Sequence, residues 1–335
     1  MTTHAVYNEI RSGIDRLNNF EMHTHDLSEP RKRIAQADRV HFIGCGSSYW
    51  TAVIAQYASF QSGVDATAYA ASEYLFAGPP ITDRTVVVAY SQSGETSETV
   101  SAARQAKDRG AAVLGITNSD DSTLGSVADE VLVTPAGTEK AVLATKTVDA
   151  ALMLTFSLLG SKYSERAPSE LQRTCRNVIN RDFQPAVAVL AEAKTLYTLG
   201  QGIEYGLAGE AATKFGEGAL LHTTALPTPE ISHGPIANAA GEPALIVATQ
   251  EPKSSLTSEV VSKLHDAGVT TIVLRRPTND YGGDISIELP TQAPEHPIVP
   301  LKILQSLTYQ TAMKKGYDPD DPPELSKHVE WSALR

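Results

Sequence analysis

Only two cysteines, Cys45 and Cys175, occur in 335 residues, too few for a disulfide framework. The N-terminus, Met1-Thr2-Thr3-His4, lacks the basic start and apolar stretch of a secretory signal, so a reducing cytoplasm is expected. Runs of about 18 or more apolar residues, which a membrane-spanning helix needs, are missing as well. Basic residues are scarce: 28 Lys and Arg stand against 39 Asp and Glu, and no Lys/Arg cluster is visible. Neither nucleic acid nor a membrane is therefore an expected partner, and an anionic ligand would need a local cradle. His4, His23 and His25 lie in the N-terminal stretch without a companion ligand set, so no metal and no cofactor are expected.

Hydrophobic residues make up 41 % of the chain and charged residues 20 %, ordinary values for a globular protein. A length of 335 residues exceeds what one core usually serves, so two domains are expected. Ile10, Ile14 and Leu17 recur at helical spacing in an N-terminal arm over 1–36. From Val40 the pattern changes to short apolar strands alternating with helices: Val40–Ile43, Thr85–Tyr90, Ala111–Thr117 and Glu130–Val133. That alternation predicts an α/β fold with right-handed crossovers and mainly parallel sheets.

The second half repeats the plan. Leu196-Tyr197-Thr198-Leu199-Gly200-Gln201-Gly202 mirrors Val40-His41-Phe42-Ile43-Gly44-Cys45-Gly46, and Ala244–Gln250 mirrors Val86–Gln92. The boundaries read as a first domain over 37–189, a second over 190–317 and a tail over 318–335. Ser161–Pro168 opens the connection, and Cys175, in the connecting helix, is read as a structural thiol.

Ser91-Gln92-Ser93-Gly94-Glu95-Thr96 ends a strand and opens a helix. Hydroxyls and backbone N–H groups converge there on one point, which the helix N-terminus makes positive, so a phosphate can be held without a lysine. The bland explanation is an N-cap in which Ser93 or Thr96 satisfies the first turn. Three hydroxyls and a glycine in six residues favour the phosphate. Gly44-Cys45-Gly46-Ser47-Ser48 lacks the third glycine of a dinucleotide fingerprint, and Ser47 and Ser48 read as a second wall of the same cradle. The corresponding turn of the second half, Thr249-Gln250-Glu251-Pro252-Lys253, is a poorer anion nest. Glu210, Lys214 and Glu217 fall at i, i+4 and i+7 on one helical face, where a solvated ion pair is the alternative to a site. His233, before Gly234-Pro235, sits in a turn, where an incidental histidine is the alternative.

Together these segments resemble the sugar isomerase (SIS) superfamily from about residue 37 to 331. The resemblance is greatest to the isomerase half of glucosamine-6-phosphate synthase and to free-standing phosphosugar deaminases, isomerases and deglycases. The matching stretches are Gly44–Tyr49, Ala71–Tyr74, Ser91–Thr96, Gly137–Glu139 with Thr145-Lys146, Glu210–Glu217, Glu230–Pro235 and Leu325–Lys327. The resemblance implies two tandem SIS domains, each a three-layer, flavodoxin-like α/β/α sandwich. It places phosphate contacts at Ser48, Ser91, Gln92, Ser93 and Thr96, the proton-shuttling carboxylate at Glu217 and the ring-opening histidine at His233. The tail lysine falls on Lys327 and the helix lysine on Lys214. A homodimer is implied too, with the histidine entering from the neighbouring subunit.

The expected activity is that of a phosphosugar isomerase or amino-sugar-phosphate deaminase, moving a proton between C1 and C2 of a hexose 6-phosphate. A deglycase of the same fold, or a non-catalytic phosphosugar sensor, is the alternative; a dinucleotide-dependent reductase ranks last. No glutaminase domain or N-terminal Cys nucleophile precedes residue 37, so ammonia from glutamine is not expected. Ala144 replaces the synthase's sugar-contacting serine, and Pro323-Glu324 a basic residue of its tail, which implies altered recognition of the sugar hydroxyls or C2 substituent.

Overall fold

In a computed structural model of the chain, the apolar run Thr85–Tyr90 forms a central strand buried along its whole length. The structure describes residues 4–17, 26–164, 168–250, 254–327 and 331–334; His23, His25 and the turn residues Glu251, Pro252 and Lys253 lie outside them. Five strands make the first sheet: β1 (Arg39–Gly44), β2 (Ala66–Ala70), β3 (Thr85–Tyr90), β4 (Ala112–Thr117) and β5 (Glu130–Val133). Every pairing is parallel, and the order is β2-β1-β3-β4-β5. This is the doubly wound order whose ligands bind outside the carboxyl ends of the strands, where the order reverses between β1 and β3.

Alternation along these strands feeds two cores. Ile43, Val87, Ala89 and Val113 face one layer of helices, α4 (Ala71–Ala77), α5 (Ser97–Asp108) and α6 (Thr123–Val127). On the other face Phe42 stacks on Tyr90 with ring centres 6.1 Å apart. The Tyr90 hydroxyl lies 3.0 Å from Thr155 on α7 (Lys146–Leu158), which packs beside α3 (Ser47–Gln61). Parallel strands covered on both faces need nearly continuous apolar sequence, which is why Thr85–Tyr90 has no polar alternation.

The second sheet has the same plan. Its strands are β6 (Thr195–Gly200), β7 (His222–Pro227), β8 (Pro243–Ala248), β9 (Thr270–Arg275) and β10 (Ile285–Glu288), in the order β7-β6-β8-β9-β10, all parallel. One face carries α11 (Ser255–Asp266) and the 3₁₀ turn Thr228–His233, with Leu199, Ile246, Val260 and Val273 in the core. Helices α10 (Ile203–Ala219) and α12 (Ile298–Lys315) pack together in the same unit, and α8 (Pro168–Ile179) and α9 (Gln184–Glu192) pack on α12. Each sheet thus builds a three-layer α/β fold, as the sequence predicts.

The chain divides into two compact units. One holds the first sheet: Asp15–Lys140, Ala144–Glu165 and Ser326–Arg335. The other holds the second: Met1–Ile14, Ala141–Leu143 and Arg166–Leu325. The arm begins with α1 (Ala5–Arg16), followed by α2 (Ser28–Gln36), and Ile10 and Ile14 on α1 are buried. In the second unit the Asp320 carboxylate accepts the Ala5 and Val6 N–H groups at 2.6 and 2.8 Å, a negative charge at the positive end of α1. His4 lies 3.1 Å from the Tyr309 hydroxyl, and Cys175 is fully buried. No helix among the described residues is long and apolar enough to cross a membrane.

Candidate functional site

In the unit of the first sheet, a cavity opens at the carboxyl ends of β1 and β3. Ser47, Ser48, Ser91 and Gln92 line it, with Asn118 and Ala144. Four of the six predicted phosphate contacts therefore share one hollow, and Ala144 lies in its wall. The Ser91 hydroxyl accepts the Gly94 N–H at 3.1 Å and stands 3.1 Å from the Thr96 hydroxyl. Ser93 is folded onto its own turn, its hydroxyl accepting the Glu95 N–H at 3.1 Å. Thr96 occupies the N-cap of α5 and makes no side-chain cap bond, so its hydroxyl serves the turn and not the helix end.

Gly94 is required by this geometry. Its φ is +74°, and an added Cβ would lie 2.1 Å from Ser122 Oγ. Ser122 itself caps α6 by accepting the Gly125 N–H at 3.2 Å, so the two helix starts interlock at this glycine.

Lys327 belongs to the same unit. Its ammonium donates to the carbonyl of Glu139, so it is anchored and not a freely solvated tail lysine. The Glu139 carboxylate, 4 % exposed, accepts the Thr145 N–H at 2.9 Å, the Thr145 hydroxyl at 3.2 Å and the Thr147 hydroxyl. A buried carboxylate needs such donors. Beside them two successive carbonyls face cations: Thr138 O takes Lys146 Nζ as Glu139 O takes Lys327 Nζ. Glu139 was legible only as part of a family stretch; its clamping role follows from the Thr-x-Thr spacing of 145 and 147, which puts two hydroxyls on one side of the helix start.

In the unit of the second sheet, α10 carries the predicted acid and lysine. Lys214 is 2 % exposed, and its ammonium lies 2.8 Å from the Glu217 carboxylate and 3.6 Å from Glu210. This excludes the solvated face that spacing alone left open. The Glu217 side chain keeps 27 % exposure, so a carboxylate tied to a buried cation still reaches solvent or a ligand. His233 ends the 3₁₀ turn after β7 and is exposed. Among the described residues, no hydrogen bond or ion pair joins it to Lys214 or Glu217.

Sequence reasoning missed Glu204, in the first turn of α10. Its Oε1 accepts the Thr249 hydroxyl at 2.9 Å, the Gln250 N–H at 2.8 Å and the Thr249 N–H. Burial pushes its carboxyl up to about 7, against those bonds and the Arg276 charge, which pull it down. The folded value lies above the ordinary 4.5, so between the two the folded chain keeps a proton that the unfolded chain has released. Stability from this group is present below about 4.5 and is lost as pH rises to about 7. Glu204→Gln should remove that fall, on the order of 3 kcal/mol, from denaturant unfolding curves. An unchanged slope in the variant would assign the pH dependence to another group.

Comparison with known proteins covers both units. The SIS domain model matches residues 33–159 and 189–313, one match over each sheet. A glutamine–fructose-6-phosphate aminotransferase (isomerizing) of Clostridium perfringens is 32 % identical over 341 residues, covering 92 % of this chain and 54 % of that protein. Its Thermotoga maritima counterpart is 30 % identical, covering 97 % and 58 %. The chain thus spans about half the length of the curated relatives it matches. Among solved structures, glucosamine-6-phosphate deaminase from Thermotoga maritima superposes with a TM-score of 0.76 at 26 % identity, covering 97 % of this chain and 99 % of that one. The C-terminal domain of glucosamine-fructose-6-phosphate aminotransferase from Francisella tularensis gives 0.81 at 24 % identity, over 96 % and 98 %, a likeness of fold. Since each of the two parallel sheets falls within its own match, the chain belongs to the SIS domain family.

Proposed function

We propose that this chain is a phosphosugar isomerase or amino-sugar-phosphate deaminase acting on a hexose 6-phosphate. The observation that carries the reading is the buried Lys214 ammonium 2.8 Å from the half-buried Glu217 carboxylate. Such a pair fixes a carboxylate in place while leaving it accessible. The phosphate is held by Ser47, Ser48 and the Ser91–Thr96 turn. The sugars named for the relatives from Clostridium perfringens and Thermotoga maritima, fructose 6-phosphate and glucosamine 6-phosphate, support the substrate class.

In this reading His233 moves a proton at the ring oxygen and opens the sugar, acting from a second copy of the chain. Its exposure suits that role. Glu217 then takes the C2 proton of the open-chain aldose, and the C–H electron pair forms the C1–C2 double bond. The negative charge gathers on the C1 oxygen, where Lys214 stabilises it. Protonated Glu217 returns its proton to C1, bonded there by the C1–C2 double-bond pair, while the C2 hydroxyl proton passes to the C1 oxygen and its O–H pair forms C2=O, leaving a C2 ketose. With an amino group at C2 the same transfer leaves a C2 imine, which water hydrolyses to ketose and ammonia.

Lys327 is the group through which the tail takes part, approaching the open-chain carbonyl or imine. Assays over a panel of hexose 6-phosphates, following ketose formation and ammonia release together, should find turnover in the wild type. Lys327→Met should bind inorganic phosphate as the wild type does yet lose most of that turnover, at least about tenfold if its charge-assisted hydrogen bond is worth about 1.5–3 kcal/mol in the transition state. Wild-type turnover in the variant would return Lys327 to a purely structural contact with Glu139.

A further inference from the structure

The two sheets carry the same turn ahead of α3 and α10. Gly46 and Gly202 precede these helices with φ 53°, ψ −126° and φ 59°, ψ −129°. Ser48 and Glu204 then take the same place, their N–H groups bonding Cys45 O at 3.0 Å and Gln201 O at 3.1 Å. The central strands end alike, in Ser91-Gln92 after β3 and Thr249-Gln250 after β8. The N-cap positions of the following helices, Thr96 and Ser254, also correspond, each five residues beyond Ser91 or Thr249, although only Ser254 accepts a cap bond, from the Thr257 N–H.

The occupant of the two turns differs. In the first, Ser48 lines a cavity with Ser91 and Gln92. In the second, Glu204 reaches across to the strand end, where one carboxylate oxygen accepts the Thr249 N–H, the Thr249 hydroxyl and the Gln250 N–H. The Ser91 N–H donates to Ile116 O of the neighbouring strand at 3.1 Å, whereas its counterpart on Thr249 is turned to the carboxylate. Arg276, held by its Nε–H to Thr249 O at 2.8 Å, places a cation beside the group. A first-turn acid serving its own helix would bond that helix's N–H groups. Glu204 instead bonds a turn 45 residues away, at the carboxyl end of a parallel sheet where anionic ligands bind.

We infer that the second repeat holds an anion cradle closed from within: the Glu204 carboxylate stands where a phosphate stands in the first repeat, so each chain takes one phosphosugar and keeps a latent second anion site. The inference rests on the reading that the Ser91–Thr96 turn holds phosphate. It accounts for one repeat binding and the other not, although the turns ahead of α3 and α10 match: Ser48 leaves room and Glu204 fills it with a charge of the ligand's own sign.

Equilibrium dialysis of the full chain with inorganic phosphate at pH 8, where Glu204 is ionised, tests it on wild type and Glu204→Ser. The expected result is one phosphate per chain in the wild type, with amide shifts at Ser91 and Gln92. Glu204→Ser should take two, with new shifts at Thr249 and Gln250. A wild type that binds none would overturn the first-turn reading. A variant that gains no site over the wild type would overturn this inference. Should Glu204→Ser be isolated unfolded, added phosphate or sulfate is expected to restore its fold, with a Tm that rises with anion concentration. A variant that no anion restores would contradict the cradle.

Discussion

Glu217→Gln should lower turnover of a hexose 6-phosphate by about 10²–10⁴-fold, the usual contribution of a general base, with affinity for inorganic phosphate unchanged. Glutamine keeps the size of the side chain and can still accept a hydrogen bond from Lys214. It cannot take the C2 proton. The Lys214 ammonium, 2 % exposed, would lose its 2.8 Å carboxylate partner and retain Glu210 at 3.6 Å, so the fold should survive with modest cost. Phosphate binding, assigned to the other compact unit, should not respond. If the folded variant turned over substrate within a few-fold of the wild type, Glu217 would be no more than a structural partner of Lys214.

Gly94→Ala should weaken phosphate binding by about 100-fold or more, roughly the 3 kcal/mol expected when donors aimed at one anion are displaced. The new Cβ would meet Ser122 Oγ at 2.1 Å and Ser122 Cβ at 2.3 Å, so the turn has to move. Moving it breaks the Gly94 N–H to Ser91 Oγ bond of 3.1 Å and pulls Ser91 from the cavity wall. The left-handed backbone adds about 1–2 kcal/mol for any residue with a Cβ, and overpacking about 1–3 kcal/mol more. Gly110→Ala separates the two costs. Its φ is +96°, but nothing lies within 4 Å of an added Cβ, so it should lose stability alone and keep phosphate affinity. Equal phosphate affinity in folded Gly94→Ala and wild type would remove the phosphate from this turn.

Two strands buried on both faces were legible because nothing polar interrupts their apolar stretch: Thr85–Tyr90 read as one run, and Ala244–Gln250, its counterpart in the second half, contains most of the strand Pro243–Ala248. Two edge strands were not. Ala66–Ala70 consists of small residues with Thr67 and Tyr69, and His222–Pro227 begins with a histidine and two threonines; each pairs on one side only. Such segments carry neither the apolar run nor a clean alternation. Among the candidate site residues, the Ser91–Thr96 turn stood out by composition, because hydroxyls and a glycine between strand and helix have a local meaning. Lys214, Glu217, His233 and Lys327 were not, since ordinary helix, turn and tail chemistry explains each one singly. Glu204 gave no signal at all, because an acid in a helix's first turn is commonplace. Only the parallel course of the two repeats sets it opposite Ser48 and shows that its charge is spent on a neighbouring strand end.

Proton transfer between C1 and C2 of a phosphosugar is the central claim, and solvent exchange reads it directly. Incubated in D₂O with glucose 6-phosphate, fructose 6-phosphate and glucosamine 6-phosphate in turn, the wild-type chain should convert at least one of them. Deuterium should enter at C1 or C2, visible by proton NMR, and Glu217→Gln should show neither conversion nor exchange. A wild-type chain that binds these sugars through their phosphate, yet yields no ketose, no ammonia and no deuterium at either carbon, would contradict the account and make the protein a phosphosugar sensor.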